Sequence, residues 1–274
     1  MFDLHCHMLP GIDDGAQDLD TALEMARLAV ADGIRLTACT PHIYPSLYEN
    51  RADDIQAAVE RFRGHLQAAG IPLEVTYGAD IQLVPELVEE LDRRSFPTLH
   101  GSRYFLFEPP HHVAPPHFSE VLFDVLSSGY IPIITHPERL TWLDDEHYDW
   151  FTTAARRGAW LQLTAGSVVG RFGRGPRYWA ERMLDDGVVH ILATDAHDTG
   201  RRPPCLAEGR EAAAAWVGAD EAERMVVGRP QLVVDDRPAD GLPLPPGLTG
   251  RARPATAGRP ASGGWLKRLF GAHG

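Results

Sequence analysis

The residues with the most chemical potential in this 274-residue chain are histidines and carboxylates that recur in short, widely spaced motifs. His5 and His7 form a His-x-His pair, followed closely by Asp13 and Asp14. His42 stands in Thr40-Pro41-His42, Asp80 and Glu108 come singly, His136 opens His136-Pro137-Glu138-Arg139, and Asp195 with His197 makes an Asp-x-His pair. Neutral imidazoles and carboxylates are the usual donors for Zn, Mn and Fe. Carboxylates crowded together without compensation raise one another's pKa, and divalent cations remove that conflict. The set is larger than a single ion coordinates, so two or three ions sharing bridging carboxylates are expected. Each motif alone is weak evidence, because such pairs are more often structural or simply solvated.

Their placement makes the signal strong. Apolar, β-rich stretches at residues 2–5, 36–40, 73–78, 104–108, 131–135, 160–163 and 188–193 alternate with segments of helical periodicity at 19–31, 53–69, 85–93, 118–127, 146–156 and 177–185. Leu23, Ala26 and Val30 illustrate the apolar stripe. Gly33, Gly70, Gly129, Gly158 and Gly187 follow the periodic segments as helix stops. This alternation predicts parallel strands covered by helices, as a closed barrel or an open doubly wound sheet. Every candidate ligand falls at or just beyond the carboxyl end of a predicted strand, and in a parallel barrel those ends open onto one face. His65, His100, His147 and His190 lie outside that set and read as surface or structural residues. His111, His112 and His117, in a Pro-rich loop after Glu108, read as exposed.

With 26 basic and 38 acidic residues the formal net charge is −12, which argues against a surface that coats nucleic acid. The start of the chain has no basic and apolar leader pattern, and no run is long enough to span a bilayer. The three cysteines, Cys6, Cys39 and Cys205, are odd in number and scattered, as expected of reduced thiols in a cytoplasmic protein. The alternating pattern ends near Asp235; prolines and glycines then crowd residues 236–264, which read as a flexible linker. Residues 265–274 carry Trp265-Leu266-Lys267-Arg268-Leu269-Phe270, a short amphipathic tail: a disordered end on the plain reading, a weak membrane or partner anchor on the functional one.

The opening Phe2-Asp3-Leu4-His5-Cys6-His7-Met8-Leu9-Pro10-Gly11-Ile12-Asp13-Asp14-Gly15-Ala16 resembles that of the polymerase-and-histidinol-phosphatase (PHP) superfamily. In particular it is similar to the manganese-dependent protein-tyrosine phosphatases of bacterial capsule and exopolysaccharide synthesis. Thr40-Pro41-His42, Phe107-Glu108, His136-Pro137-Glu138-Arg139, Ala165-Gly166-Ser167 with Gly170-Arg171-Phe172-Gly173, and Thr194-Asp195-Ala196-His197 with Arg202-Pro203-Pro204 extend the likeness over residues 1–235. The resemblance implies an α/β fold, a distorted TIM-like (β/α)7 barrel of the PHP type, with the Pro/Gly-rich tail outside it. It implies His5, His7 and Asp195 on one ion, Asp80 bridging to a second held by Glu108 and His136, and Asp14, His42 and His197 on a third. Asp13 stands as an alternative to Asp14. Members of the family usually have glutamate where this chain has Asp80. The implied cofactor is Mn2+ as two or three ions, with Fe or Zn as substitutes. The implied partner is a tyrosine-phosphorylated protein, a membrane-bound tyrosine autokinase.

The expected chemistry is attack on phosphorus by a metal-bridging hydroxide, with Arg139 and Arg202 holding the phosphate through their planar forks. A phenol leaves with a pKa of about 10, so phosphotyrosine suits a site rich in metal and poor in obvious acids. The Cys-dependent tyrosine phosphatases need an arginine at a fixed spacing after the cysteine; Ile12, Pro45 and Glu211 occupy that position here. Competing readings are a histidinol-phosphatase-like phosphomonoesterase, a phosphodiesterase, or a catalytically weak metal-binding module of a polysaccharide-assembly complex.

Overall fold

Strands and helices alternate along the chain in a computed structural model that describes residues 1–249. The strands are β1 (Phe2–Cys6), β2 (Leu36–Cys39), β3 (His42–Ile43), β4 (Glu74–Tyr77), β5 (Asp80–Gln82), β6 (Tyr104–Glu108), β7 (Ile131–Thr135), β8 (Trp160–Thr164) and β9 (Ile191–Ala193). The helices that cover them are α1 (Leu19–Ala31), α2 (Ala52–Ala68), α3 (Leu87–Asp92), α4 (Phe118–Ser127), α5 (Asp145–Arg156), α6 (Ala165–Val168) and α7 (Arg174–Asp186). Gly33, Gly70, Gly129, Gly158 and Gly187, expected to stop helices, all sit at positive φ.

Every strand pair is parallel, in a three-stranded sheet ordered β1-β2-β4 and a six-stranded sheet ordered β3-β5-β6-β7-β8-β9. Two expected strands, at 36–40 and 73–78, are each followed by a short further strand that was not expected. Thr40-Pro41 separates β2 from β3, and Pro41 has no N–H to give a ladder; Gly78-Ala79 separates β4 from β5. Beyond β9 the chain crosses back to β1: Asp195 N–H donates to His5 O at 2.8 Å and His7 N–H to Ala196 O at 2.8 Å.

Two-residue periodicity explains how one strand serves both core and site. Leu106, Ile133 and Trp160 belong to a smaller buried cluster with Phe2, Leu4, Tyr104 and Ile191. Two residues on, along the same faces, come Glu108, Thr135 and Gln162. The larger cluster fills the space between strands and covering helices. Strand β1 keeps all five residues buried, as expected where both faces are covered. Its register shifts between Asp3 and Cys6, which brings both Leu4 and His5 to the inner side.

Sequence periodicity does not anticipate the C-terminal helices α8 (Ala207–Val217), α9 (Ala219–Glu223) and α10 (Arg229–Val234), joined through a π-helical turn at Arg224–Gly228. They are short or alanine-rich, and Arg229 is buried among them, pairing with Glu221 at 2.7 Å. Residues 238–249, at the start of the Pro/Gly-rich stretch, form two 3-10 turns (Ala239–Gly241 and Pro246–Leu248) that lie on the body. Gly247 N–H donates to Gly187 O at 2.9 Å, and Arg229 donates to Pro243 O at 3.0 Å. The amphipathic tail at 265–274 lies outside the described residues. No helix among the described residues is long and apolar enough to cross a membrane.

Candidate metal centre

The nine expected ligands converge where the strands end. His5 Nε2 lies 3.4 Å from Asp80 Oδ2 and 3.4 Å from Asp195 Oδ1, and His7 Nε2 is also 3.4 Å from Asp195 Oδ1. His42 faces two ways: its Nε2 is 3.5 Å from Asp14, and its Nδ1 is 3.4 Å from Glu108 and 3.6 Å from Asp80. His136 Nε2 lies 3.7 Å from Glu108 and 3.8 Å from Asp80, while His197 Nε2 lies 3.5 Å from Asp14. Four groups have ligand atoms all within 4.8 Å of one another: His7-Asp14-His42-His197, His5-His7-Asp80, His5-His136-Asp195 and His42-Asp80-Glu108. His5, His7, His42 and Asp80 each belong to two groups, so the donors form one continuous patch. The grouping cuts across the implied three-ion assignment, because His42 sits with Glu108 and Asp80 as well as with Asp14 and His197.

Backbone geometry helps to aim these side chains. His136 (φ 33°) and Asp195 (φ 50°) both occupy the left-handed region, which costs a non-glycine residue about 1–3 kcal/mol and clusters at functional sites. Asp3, buried, accepts from His5 N–H at 3.3 Å and from Thr194 N–H at 3.0 Å, and so ties β1 to the turn that carries Asp195. Gly15 passes so close to His7 that a Cβ there would stand 2.1 Å from His7 O.

The outward nitrogens of three histidines are engaged, which leaves Nε2 facing inward. His5 Nδ1 meets Gln162 Oε1 at 2.9 Å, His7 Nδ1 meets Asp13 Oδ2 at 2.7 Å, and His197 Nδ1 meets the Asp195 carbonyl at 3.0 Å. Metal-ligating histidines are characteristically oriented by such partners. Asp13 also accepts from the N–H groups of Gly15 and His42 and is absent from the four groups, whereas Asp14 belongs to one. Sequence reasoning left Gln162 and Asp3 out altogether. The available signal was a polar residue inside each of two otherwise apolar strands, Trp160-Leu161-Gln162-Leu163 and Phe2-Asp3-Leu4.

The charges test whether this patch suits cations. Burial alone would lower the pKa of His5, but Asp80 and Asp195 outweigh it and push it up to about 9. His42 is likewise lowered by burial and raised more strongly by Glu108 and Asp80, to about 10. Burial opposes ionisation of Asp80 and Asp195; His5 and its neighbours for the first, and Arg202, His5 and Arg139 for the second, hold both well below the usual carboxylate range. His197, buried and beside His7, is pushed down to about 4. Asp80 Oδ2, His42 Nδ1, His136 Nδ1 and His197 Nε2 are buried with no hydrogen-bond partner, and native proteins leave few such atoms unmatched. Ionised carboxylates, neutral or cation-displaceable imidazoles and orphaned donor atoms fit divalent metal ions.

Arg139 and Arg202 converge on the remaining oxygen of Asp195. Both donate to Oδ2, Arg202 at 2.6 Å. Asp198 Oδ1 gathers the N–H groups of Gly200, Arg201 and Arg202 into the loop that presents Arg202. His111 and His112 stay outside the four groups, and His190 is buried beside the start of β8, stacked on Trp160.

Parallel strands that carry imidazoles, carboxylates and two guanidinium groups to one place fit the class of metal-dependent phosphoester hydrolases. Within it, the chain belongs to the capsular polysaccharide synthesis CpsB/CapC family, whose model matches residues 1–235. It is 35% identical over 202 residues to the tyrosine-protein phosphatase YwqE of Bacillus subtilis, covering 74% of this chain and 79% of the relative. It is 25% identical over 242 residues to the tyrosine-protein phosphatase CpsB of Streptococcus pneumoniae, covering 86% of this chain and 99% of that one. Among solved structures, one from work on YwqE and CpsB, described as metal-dependent tyrosine phosphatases, matches with a TM-score of 0.81 at 31% identity, over 87% of this chain and 96% of its own.

Proposed function

We propose that the chain is a metal-dependent protein-tyrosine phosphatase that acts in capsule or exopolysaccharide synthesis, with a membrane-bound tyrosine autokinase as its phosphoprotein substrate, in the cytoplasm. The observation that carries this reading is the continuous His/carboxylate patch flanked by Arg139 and Arg202, in a member of the CpsB/CapC family. His5, His7, Asp14, His42, Asp80, Glu108, His136, Asp195 and His197 hold two or three divalent ions, with Mn2+ the first choice and Fe or Zn substitutes. When bound, such ions neutralise phosphoryl charge and lower the pKa of a water enough for it to attack near neutral pH. Arg139 and Arg202 grip the non-bridging oxygens and orient the ester. The phenolate, with a pKa of about 10, departs without a strong general acid. Asp80 serves despite being one methylene shorter than the usual glutamate, because it already lies within reach of His5, His42 and His136.

The fold reading goes one step further than two parallel sheets. The crossing between β1 and the segment after β9, with β2 continuing into β3 and β4 into β5, supports closure into a distorted (β/α)7 barrel. The family match over residues 1–235 supports assigning that span to a metallophosphatase domain, followed by a linker at 236–264 and the short tail at 265–274. Manganese-stimulated phosphate release from a phosphotyrosine peptide, set against histidinol phosphate, tests the function. Preference for histidinol phosphate would contradict it.

A further inference from the structure

Arg139 leaves the chain three residues after His136, and its guanidinium carbon stands 4.5 Å from the centroid of the Phe172 ring. The same guanidinium donates to Asp195. Its face is therefore covered by an aromatic ring and one N–H is engaged by a carboxylate, which leaves the rest of its planar edge for an anion. Phe172 is itself held. A Cβ on Gly166 would come 2.8 Å from Phe172 Cε2, so the ring has its seat only because α6 carries no side chain there. Arg171 N–H donates to Gly166 O at 2.8 Å, Gly173 N–H donates to Gly170 O at 3.1 Å, and the Arg171 side chain pairs with Glu208 of α8. Gly170 (φ 86°) and Gly173 (φ 92°) make the turns that bracket the segment. Residues 170–173 are thus pinned between α6 and α8 with the ring turned to Arg139.

We propose that Phe172 is the positioning residue for Arg139: it fixes the guanidinium plane beside the metal centre so that the free edge meets the oxygens of a phosphate group. The inference rests on the phosphatase reading and deepens it. Leucine at position 172 keeps apolar volume but has no ring quadrupole, so the loss falls on phosphate recognition and not on folding.

The test compares Phe172→Leu, Phe172→Tyr, Arg139→Ala and the Phe172→Leu/Arg139→Ala double variant of the full chain loaded with Mn2+. The readouts are KM and kcat on an aryl phosphate and the Kd of inorganic phosphate by calorimetry. Phe172→Leu should raise KM and the phosphate Kd together, by about three- to tenfold, with kcat and the melting temperature little changed. Phe172→Tyr should keep the original values, and Phe172→Leu should add nothing once Arg139 is alanine. An unchanged phosphate Kd in Phe172→Leu, or an equal further loss in the Arg139→Ala background, would overturn the proposal. Calorimetry needs no turnover. A chain that binds phosphate through this pair yet releases none from an aryl phosphate would contradict the phosphatase reading and leave the positioning role standing.

Discussion

Asp13 and Gln162 touch His7 and His5 through the ring nitrogen that faces away from the centre, and that places their effect one bond behind the metal donors. Removing either partner frees the ring to rotate or to change tautomer. Loss of such a partner commonly weakens metal binding by about 10- to 100-fold. Gln162→Leu should therefore lower Mn2+ affinity by about that factor in a metal titration, while the β8 ladder and the melting temperature of the metal-free protein stay close to the original. Asp80→Asn probes a donor instead of its support. It removes a charge placed between His5, His42 and His136, and titration should find at least about tenfold weaker binding. Unaltered affinity in Asp80→Asn would take Asp80 out of the centre. The candidate set that the structure brings together was legible in the sequence because each member ends or follows an apolar run. The supporting partners were not, because a lone Gln or Asp in a strand does not reveal which neighbour it will face.

At the scale of elements, the site depends on how closely the 7–15 loop folds over the end of β1. Ala16 N–H donates to His7 O at 3.0 Å, and Gly15 leaves no room for a side chain above His7. Gly15→Ala should displace His7 and Asp13 together, lowering stability by about 1–3 kcal/mol in denaturant melts and weakening metal binding in the same protein. A variant with normal stability and affinity would mean that the loop yields freely. Strand and helix positions were predictable where apolar period and glycine stops agreed, as at β6, α4, β7 and Gly129. The short strands β3 and β5 were not, since two or three residues carry no period and their pairing is set by the neighbouring sheet. Helices α8 to α10 escaped for a related reason: alanine-rich or five- to six-residue segments depend on packing, here around the buried Arg229–Glu221 pair, more than on local pattern.

For the molecule as a whole, that C-terminal layer also sets an acid limit. His190 is buried, its Nδ1 accepts from Leu161 N–H at 3.1 Å, and Arg229 donates to its carbonyl at 3.0 Å. Burial first, and the Arg229 charge second, hold its pKa well below the ordinary 6.5. The unfolded chain then binds a proton that the folded one refuses, so stability contributed at neutral pH is lost as pH falls below about 6.5. His190→Gln should show a shallower loss of melting temperature between about pH 6.5 and 5 than the original protein, and an identical slope would contradict this assignment. The acidic formal charge of −12 argues against a nucleic-acid coat but misdescribes the site, where Arg139 and Arg202 flank the His/carboxylate patch. The central claim is that the strand-end histidines and carboxylates form a metal centre that hydrolyses phosphotyrosine. Its most direct test is metal content and Mn2+-dependent phosphate release from a phosphotyrosine peptide, measured on the same preparations of the original chain and His136→Ala. Two or three bound ions with turnover in the original, and loss of both metal and turnover in a folded His136→Ala, are the expected result. Turnover that persists after chelation, or survives intact in His136→Ala, would contradict it.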